Sequence, residues 1–150
     1  MRTTRGFTSI EAMISLVIVG IMGSMAFPRL SSALEGVQLR AAQQSVAWYL
    51  ARARASAIHN GRTTQFIRSG NTIFVAIDSA GTPVTLAPRQ NLYEAHRATI
   101  ETARDTILFD ARGFAVGLTG AVKIFVVHED RRDSVCVIGL GKVFTKGCGL

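Results

Sequence analysis

One stretch of the chain limits what it can become. From Phe7 to Phe27 run 21 residues that carry a single charge, Glu11. Wound as a helix, the stretch is roughly 31 Å long, close to the hydrocarbon thickness of a bilayer. A short basic leader precedes it, Met1 to Gly6 with Arg2 and Arg5, and Pro28 and Arg29 follow. The full 150 residues suffice for one modest domain and leave no room for a second, catalytic one.

Two plain readings account for part of this. A secretory signal peptide would be cut after Ser24-Met25-Ala26, releasing a soluble β protein that begins at Phe27. Glu11 inside the apolar stretch and Pro28 next to the cut both count against it. A single-pass anchor has the right length, with Arg2 and Arg5 as its cytoplasmic flank. It gives no reason for the acid, which costs about 2.5–3.5 kcal/mol at a helix centre and less near an end.

The whole pattern, Arg5-Gly6-Phe7-Thr8-Ser9-Ile10-Glu11 followed by an unbroken apolar run, resembles the class III signal of type IV pilins and type II secretion pseudopilins. The resemblance implies that a prepilin peptidase cuts after Gly6 and methylates the new amine of Phe7. Glu11 then becomes the acidic fifth residue of the mature chain, and Pro28 sits where many pilins bend the helix. The further implication is a single-pass protein of the bacterial inner membrane, in contact with lipid and with its head in the periplasm. From there it would pass through an inner-membrane assembly platform into a pilus or pseudopilus made with other pilins. Glu11 lies one helical turn from the amine at Phe7. In a staggered bundle the glutamate of one subunit can meet the amine of the next, and pairing removes much of the penalty each pays alone. Such a pair sets register more than it adds stability.

Beyond Pro28 a helical rhythm continues to Asn60. Leu30, Leu34, Val37, Ala41, Trp48, Ala51, Ala55 and Ile58 recur mostly at three or four, with Ser45 in the gap. This predicts an amphipathic helix with that stripe against a globular head, stopped by Asn60-Gly61. A break at Pro28 into two helices is the alternative. After Gly61, short β-rich runs alternate with turn residues. Expected strands are Thr63–Arg68, Thr72–Ile77, Val84–Leu86, Ala98–Glu101, Ile107–Phe109, Val122–His128, Ser134–Ile138 and Lys142–Thr145. The expected fold is α+β and pilin-like: leader 1–6, membrane half-helix 7–27, amphipathic half-helix 28–60, antiparallel β head 61–150.

Ile107-Leu108-Phe109-Asp110-Ala111-Arg112-Gly113-Phe114 is similar to the Phe-x-x-x-Gly segment of the GspH/FimT-like branch of that family. The later strands, Gly141-Lys142-Val143 and Cys148 follow in the matching order, which implies a minor subunit that initiates or caps assembly. On this reading the head lies where disulfides persist, and a bond between Cys136 and Cys148 would staple the C-terminal hairpin. Two buried free thiols are the alternative. In some FimT-like subunits a Gly-Arg-x-Arg turn binds DNA. Here the turn reads Gly141-Lys142-Val143-Phe144, so the second basic position is aromatic. Lys146, Arg131 and Arg132 are candidates to restore charge, and Phe144 to stack on a base.

The net charge of +7 suits an anionic partner without choosing one. Gly139-x-Gly141 lacks the third glycine of a dinucleotide loop, and no phosphate loop, Gly-x-Ser-x-Gly or His-Glu-x-x-His is present. His59, His96 and His128 show no ligand spacing with the cysteines. The sequence therefore points to no cofactor, no metal and no enzyme.

Overall fold

The computed structural model describes residues 8–79 and 82–145, and for residues 25–33, 78, 79 and 82 it describes the backbone alone. The chain divides into two compact units, Met1–Glu35 and Gly36–Leu150. The N-terminal helix α1, Ser9–Asn60, runs through both, and Pro28 does not divide it.

The helix begins on Thr8. Its Oγ1 accepts a hydrogen bond from the Glu11 amide at 3.3 Å, and its carbonyl accepts one from the Ala12 amide. Thr8-x-x-Glu11 is a capping-box pattern, so the lone acid also lies where the positive end of the helix dipole favours it. Ser15 and Ser24 turn their hydroxyls back onto the Glu11 and Ile21 carbonyls at 2.7 and 2.8 Å. Within this first unit nine large apolar side chains between Ile10 and Met22 are exposed.

Among the described residues no helix is long and apolar enough to cross a membrane. The sequence count that suggested a span extended to Phe27. That run is described with its side chains only from 8 to 24. The expected transmembrane half-helix, its lipid contact and the single-pass inner-membrane location are therefore corrected.

In the second unit α1 ends as a glycine-terminated helix does. Gly61 takes φ +60°, with the Arg62 amide on the Ala57 carbonyl and the Gly61 amide on the Ile58 carbonyl. Two antiparallel sheets follow. The first has the order β3 (Thr82–Thr85), β2 (Thr72–Ser79), β1 (Thr64–Ser69), β6 (Thr106–Phe109), β7 (Ala115–Val116), with β4 (Gln90–Asn91) also on β2. The second has the order β10 (Val143–Phe144), β9 (Arg131–Val137), β8 (Val122–His128), β5 (Thr99–Thr102). Between β4 and β5 lies the short helix α2, Leu92–His96, capped by the Asn91 side chain and closed by Arg97 in a left-handed conformation. The polar stretch Arg89–Thr106, hard to read from sequence, is thus β4, α2 and β5 in succession.

The face of α1 that enters the core is not the predicted one. Leu39, Ala42, Val46, Leu50, Ala53 and Ala57 are buried among Phe66, Phe109, Ile124 and Val135 from both sheets. Val37, Trp48, Ala51, Ala55 and Ile58 of the predicted stripe lie on the opposite side and are exposed. The sequence reading favoured the bulkier stripe, but alanines at 42, 53 and 57 let the helix approach the sheets closely. Polar side chains fix its position: Gln43 Nε2 donates to the Ser134 and Thr145 carbonyls at 2.9 and 2.6 Å, and the Tyr49 hydroxyl to the Pro88 carbonyl at 2.7 Å. Burial raises the Tyr49 pKa, with the Arg52 charge pulling it down.

Leu50→Ala should cost about 2–5 kcal/mol in urea unfolding, because Leu50 is fully buried on this face. Trp48→Ala, on the exposed face, should cost less than 1 kcal/mol, roughly the range of ordinary surface changes.

Candidate functional site

Three places hold the residues singled out by the sequence. The first is the start of α1, where Glu11 is exposed in the first turn. Gly6 and Phe7, the expected cleavage and methylation positions, lie outside the described residues. The capping role of Thr8 was missed at the sequence level, although Thr8-x-x-Glu11 signals it directly.

The second is a latch made of the β6–β7 loop and the turn between β9 and β10. Asp110 organises the loop. Its Oδ1 accepts from the Arg112 and Phe114 amides, both at 2.9 Å, and its Oδ2 meets Arg112 Nη2 at 3.1 Å. The Phe114 amide bond leads, with Arg112 assisting, in holding the Asp110 carboxyl below its ordinary value. Gly113 takes φ +83° and Gly141 φ +73°. A Cβ on Gly141 would land on the Gly113 carbonyl, to which Arg54 Nε of α1 also donates at 3.1 Å. The Ala115 amide donates to the Gly139 carbonyl at 2.9 Å. Phe109 is fully buried four residues before Gly113. The Phe-x-x-x-Gly pattern therefore supplies one core anchor and one glycine at a close crossing of loops.

The third is the outer face of the second sheet. The register places Phe125 opposite Ser134 and Phe144 opposite Cys136, so Arg132, Phe125 and Phe144 share that face. The Arg132 guanidinium lies 3.9 Å from the Phe125 ring centroid and pairs with Glu101 at 2.7 Å. The Lys142 ammonium lies 4.8 Å from the Phe144 centroid. Arg131 points to the other side, with its Nη1 3.1 Å from where a Gly36 Cβ would stand. Lys146 lies outside the described residues. Arg132, Lys142 and Phe144 are therefore brought onto or beside one surface, whereas Arg131 is not.

Cys136 is buried on β9 and is not a free thiol. Cys136 is disulfide-bonded; Cys148, its expected partner, lies outside the described residues. Among the described residues no group of three His, Cys, Asp or Glu side chains could hold a metal ion.

A helix buried along one face by two antiparallel sheets is a fold that this chain shares with solved structures of a type IV minor pilin. A particular protein with this fold is the type IV minor pilin FimU of Pseudomonas aeruginosa. One crystal form of it matches with a TM-score of 0.64 at 15% identity, over 75% of this chain and 91% of that one. A second form matches at 0.60 and 13% identity, over 72% and 92%. At such identities the likeness is one of fold. No protein-family model matches the chain, and no curated protein matches it.

Two outcomes test the latch. Gly141→Ala should cost more than about 2 kcal/mol in urea unfolding, since backbone strain and collision add, whereas Gly120→Ala, with nothing within 4 Å, should be near neutral. Asp110→Ala should lower the thermal midpoint at pH 7. Because the folded pKa is depressed, the carboxylate's contribution is complete above the unfolded value of about 3.9 and is lost as pH falls through the lower folded one. The gap between variant and parent should therefore narrow below about pH 4.

Proposed function

We propose that the chain is a minor pilin that enters a type IV pilus by packing its N-terminal helix among those of other pilins and helps to initiate or cap assembly. The observation that carries this reading is the run of exposed apolar side chains from Ile10 to Met22 on a helix that starts at a lone acid. A surface of that kind needs a partner of like character. Support for the pilus over the type II secretion pseudopilus comes from the two matched structures, both of a type IV minor pilin. Cleavage after Ala26 is disfavoured because it would cut within α1.

In this reading a prepilin peptidase removes residues 1–6 and methylates Phe7, and Glu11 pairs with the amine of a neighbouring subunit. Mass spectrometry of the protein from cells should find a methylated Phe7 start. Glu11→Gln separates the two roles of the acid. Glutamine keeps the capping box but not the charge, so Glu11→Gln should enter pili as poorly as Glu11→Ala, by immunoblot of sheared filaments. Normal entry of Glu11→Gln would leave the acid with only its capping role.

A second reading, DNA binding by the head, is favoured by one observation: Arg132, Lys142, Phe125 and Phe144 lie together on the outer sheet face. Cations there would meet phosphates and the rings would stack on bases. Arg132→Ala and Lys142→Ala should each reduce the slope of log affinity against log salt by about one. A slope unchanged by both variants would count against it.

A further inference from the structure

We propose that a groove on the second unit, between α1 and the β4–α2 segment, binds a neutral pyranose unit of a glycan. This stands apart from the filament reading and from the DNA surface. The groove measures about 490 Å³, and its polar and aromatic lining comes from Gln44, Ser45, Trp48 and Tyr49 of α1, Gln90 of β4 and His96 of α2.

The lining is chemically specific. Ser45 Oγ lies 3.3 Å from His96 Nε2, and Gln90 Nε2 lies 3.4 Å from that nitrogen and 3.5 Å from Ser45 Oγ. All three distances are at the long end for hydrogen bonds, so the trio holds capacity that a better-placed partner could use. The Gln90 amide nitrogen is a donor, and the His96 ring nitrogen gives or takes a hydrogen bond according to its tautomer. An amide, a hydroxyl and an imidazole together offer donors and acceptors side by side, as sugar hydroxyls require.

Trp48 supplies the apolar wall. It is the chain's only tryptophan and is 51% exposed. Tyr49 meets it edge-on at 5.0 Å between centroids, and the Arg52 guanidinium lies 5.2 Å from its centroid, so the ring is held in place. A flat indole packs against the C–H face of a pyranose while the polar trio takes its hydroxyls. The walls are also tied together, because the Tyr49 hydroxyl holds the Pro88 carbonyl just before β4, and Gln90 pairs with Ile73 in the sheet. A site organised before binding loses less affinity to ordering. No lining side chain carries a fixed charge. A nucleotide would fit the ring and the amides, but the cation beside them, Arg52, is already engaged on the Trp48 ring.

Trp48 is also the reporter. The full-length protein is titrated with an N-acetylglucosamine trimer, a maltose-type trisaccharide and thymidine monophosphate while tryptophan emission is followed. A saturable change with either saccharide, and none with the nucleotide, supports the proposal. The N-acetylated probe would point to an amino-sugar polymer, the other to a neutral polysaccharide. Gln90→Ala and His96→Ala should each weaken the response about tenfold or more, the scale of one lost hydrogen bond, with unchanged far-ultraviolet circular dichroism. The proposal is overturned by no saturable change at tens of millimolar saccharide, by equal binding in both variants, or by emission that depends on protein concentration alone. None of these would bear on entry into pili, which is read separately on filaments.

Discussion

The close seating of α1 on the two sheets is the constraint on which the head depends. Ala42, Ala53 and Ala57 contribute little apolar area, but they let Val46 and Leu50 reach the shared core. A helix so close to a sheet must avoid leaving backbone polar groups unpaired. Gln43 meets two carbonyls of the second sheet's region, Tyr49 caps the carbonyl of Pro88, and Arg54 takes that of Gly113. Gln38 adds a 2.8 Å contact to the buried His128 of β8. Small residues permit the approach and long polar ones fix its register.

The loop crossing at Gly113 and Gly141 extends the same logic. It is built where the first sheet's β6–β7 loop meets the second sheet's terminal turn, with Arg54 of α1 bonded to the same carbonyl. The glycine of the terminal turn is thus explained by packing. That separates Gly141 from its neighbours: its place in the sequence says nothing about a ligand, whereas Lys142 is exposed and Phe144 only half-buried, leaving their chemistry open to one.

Much of the fold was legible. Period-two runs with turn residues between them gave β1, β2, β6, β8 and β9 nearly at their observed places, and Asn60-Gly61 marked the end of α1. The inward face of α1 was not legible, because both its faces are apolar and size alone does not say which one packs. The two-residue strands β4 and β7 carry too few side chains to show a period. α2 is only five residues long, although Asn91-x-x-Glu94 hinted at its cap. At the candidate sites, Glu11 and the basic turn stood out by type, but the shared face of Arg132 and Phe144 depends on strand register. The groove at Trp48 joins residues far apart in sequence: Ser45 is 51 positions from His96 and 45 from Gln90.

Two energies decide what the start of α1 can do in the proposed assembly. Nine exposed apolar side chains between Ile10 and Met22 would each gain about 1.5–3 kcal/mol on full burial, so even half-burial is worth on the order of 10 kcal/mol. Taking the Glu11 carboxylate out of water costs several kcal/mol, which pairing with an amine largely returns without adding much. The apolar surface therefore supplies the drive to associate, and it is nearly indifferent to sliding by one turn. In that proposed assembly the acid would not be indifferent, because only one stagger would put a neighbour's amine within its reach. A single buried charge in an otherwise uniform surface can thus select one arrangement among many of similar apolar burial while contributing little to its strength.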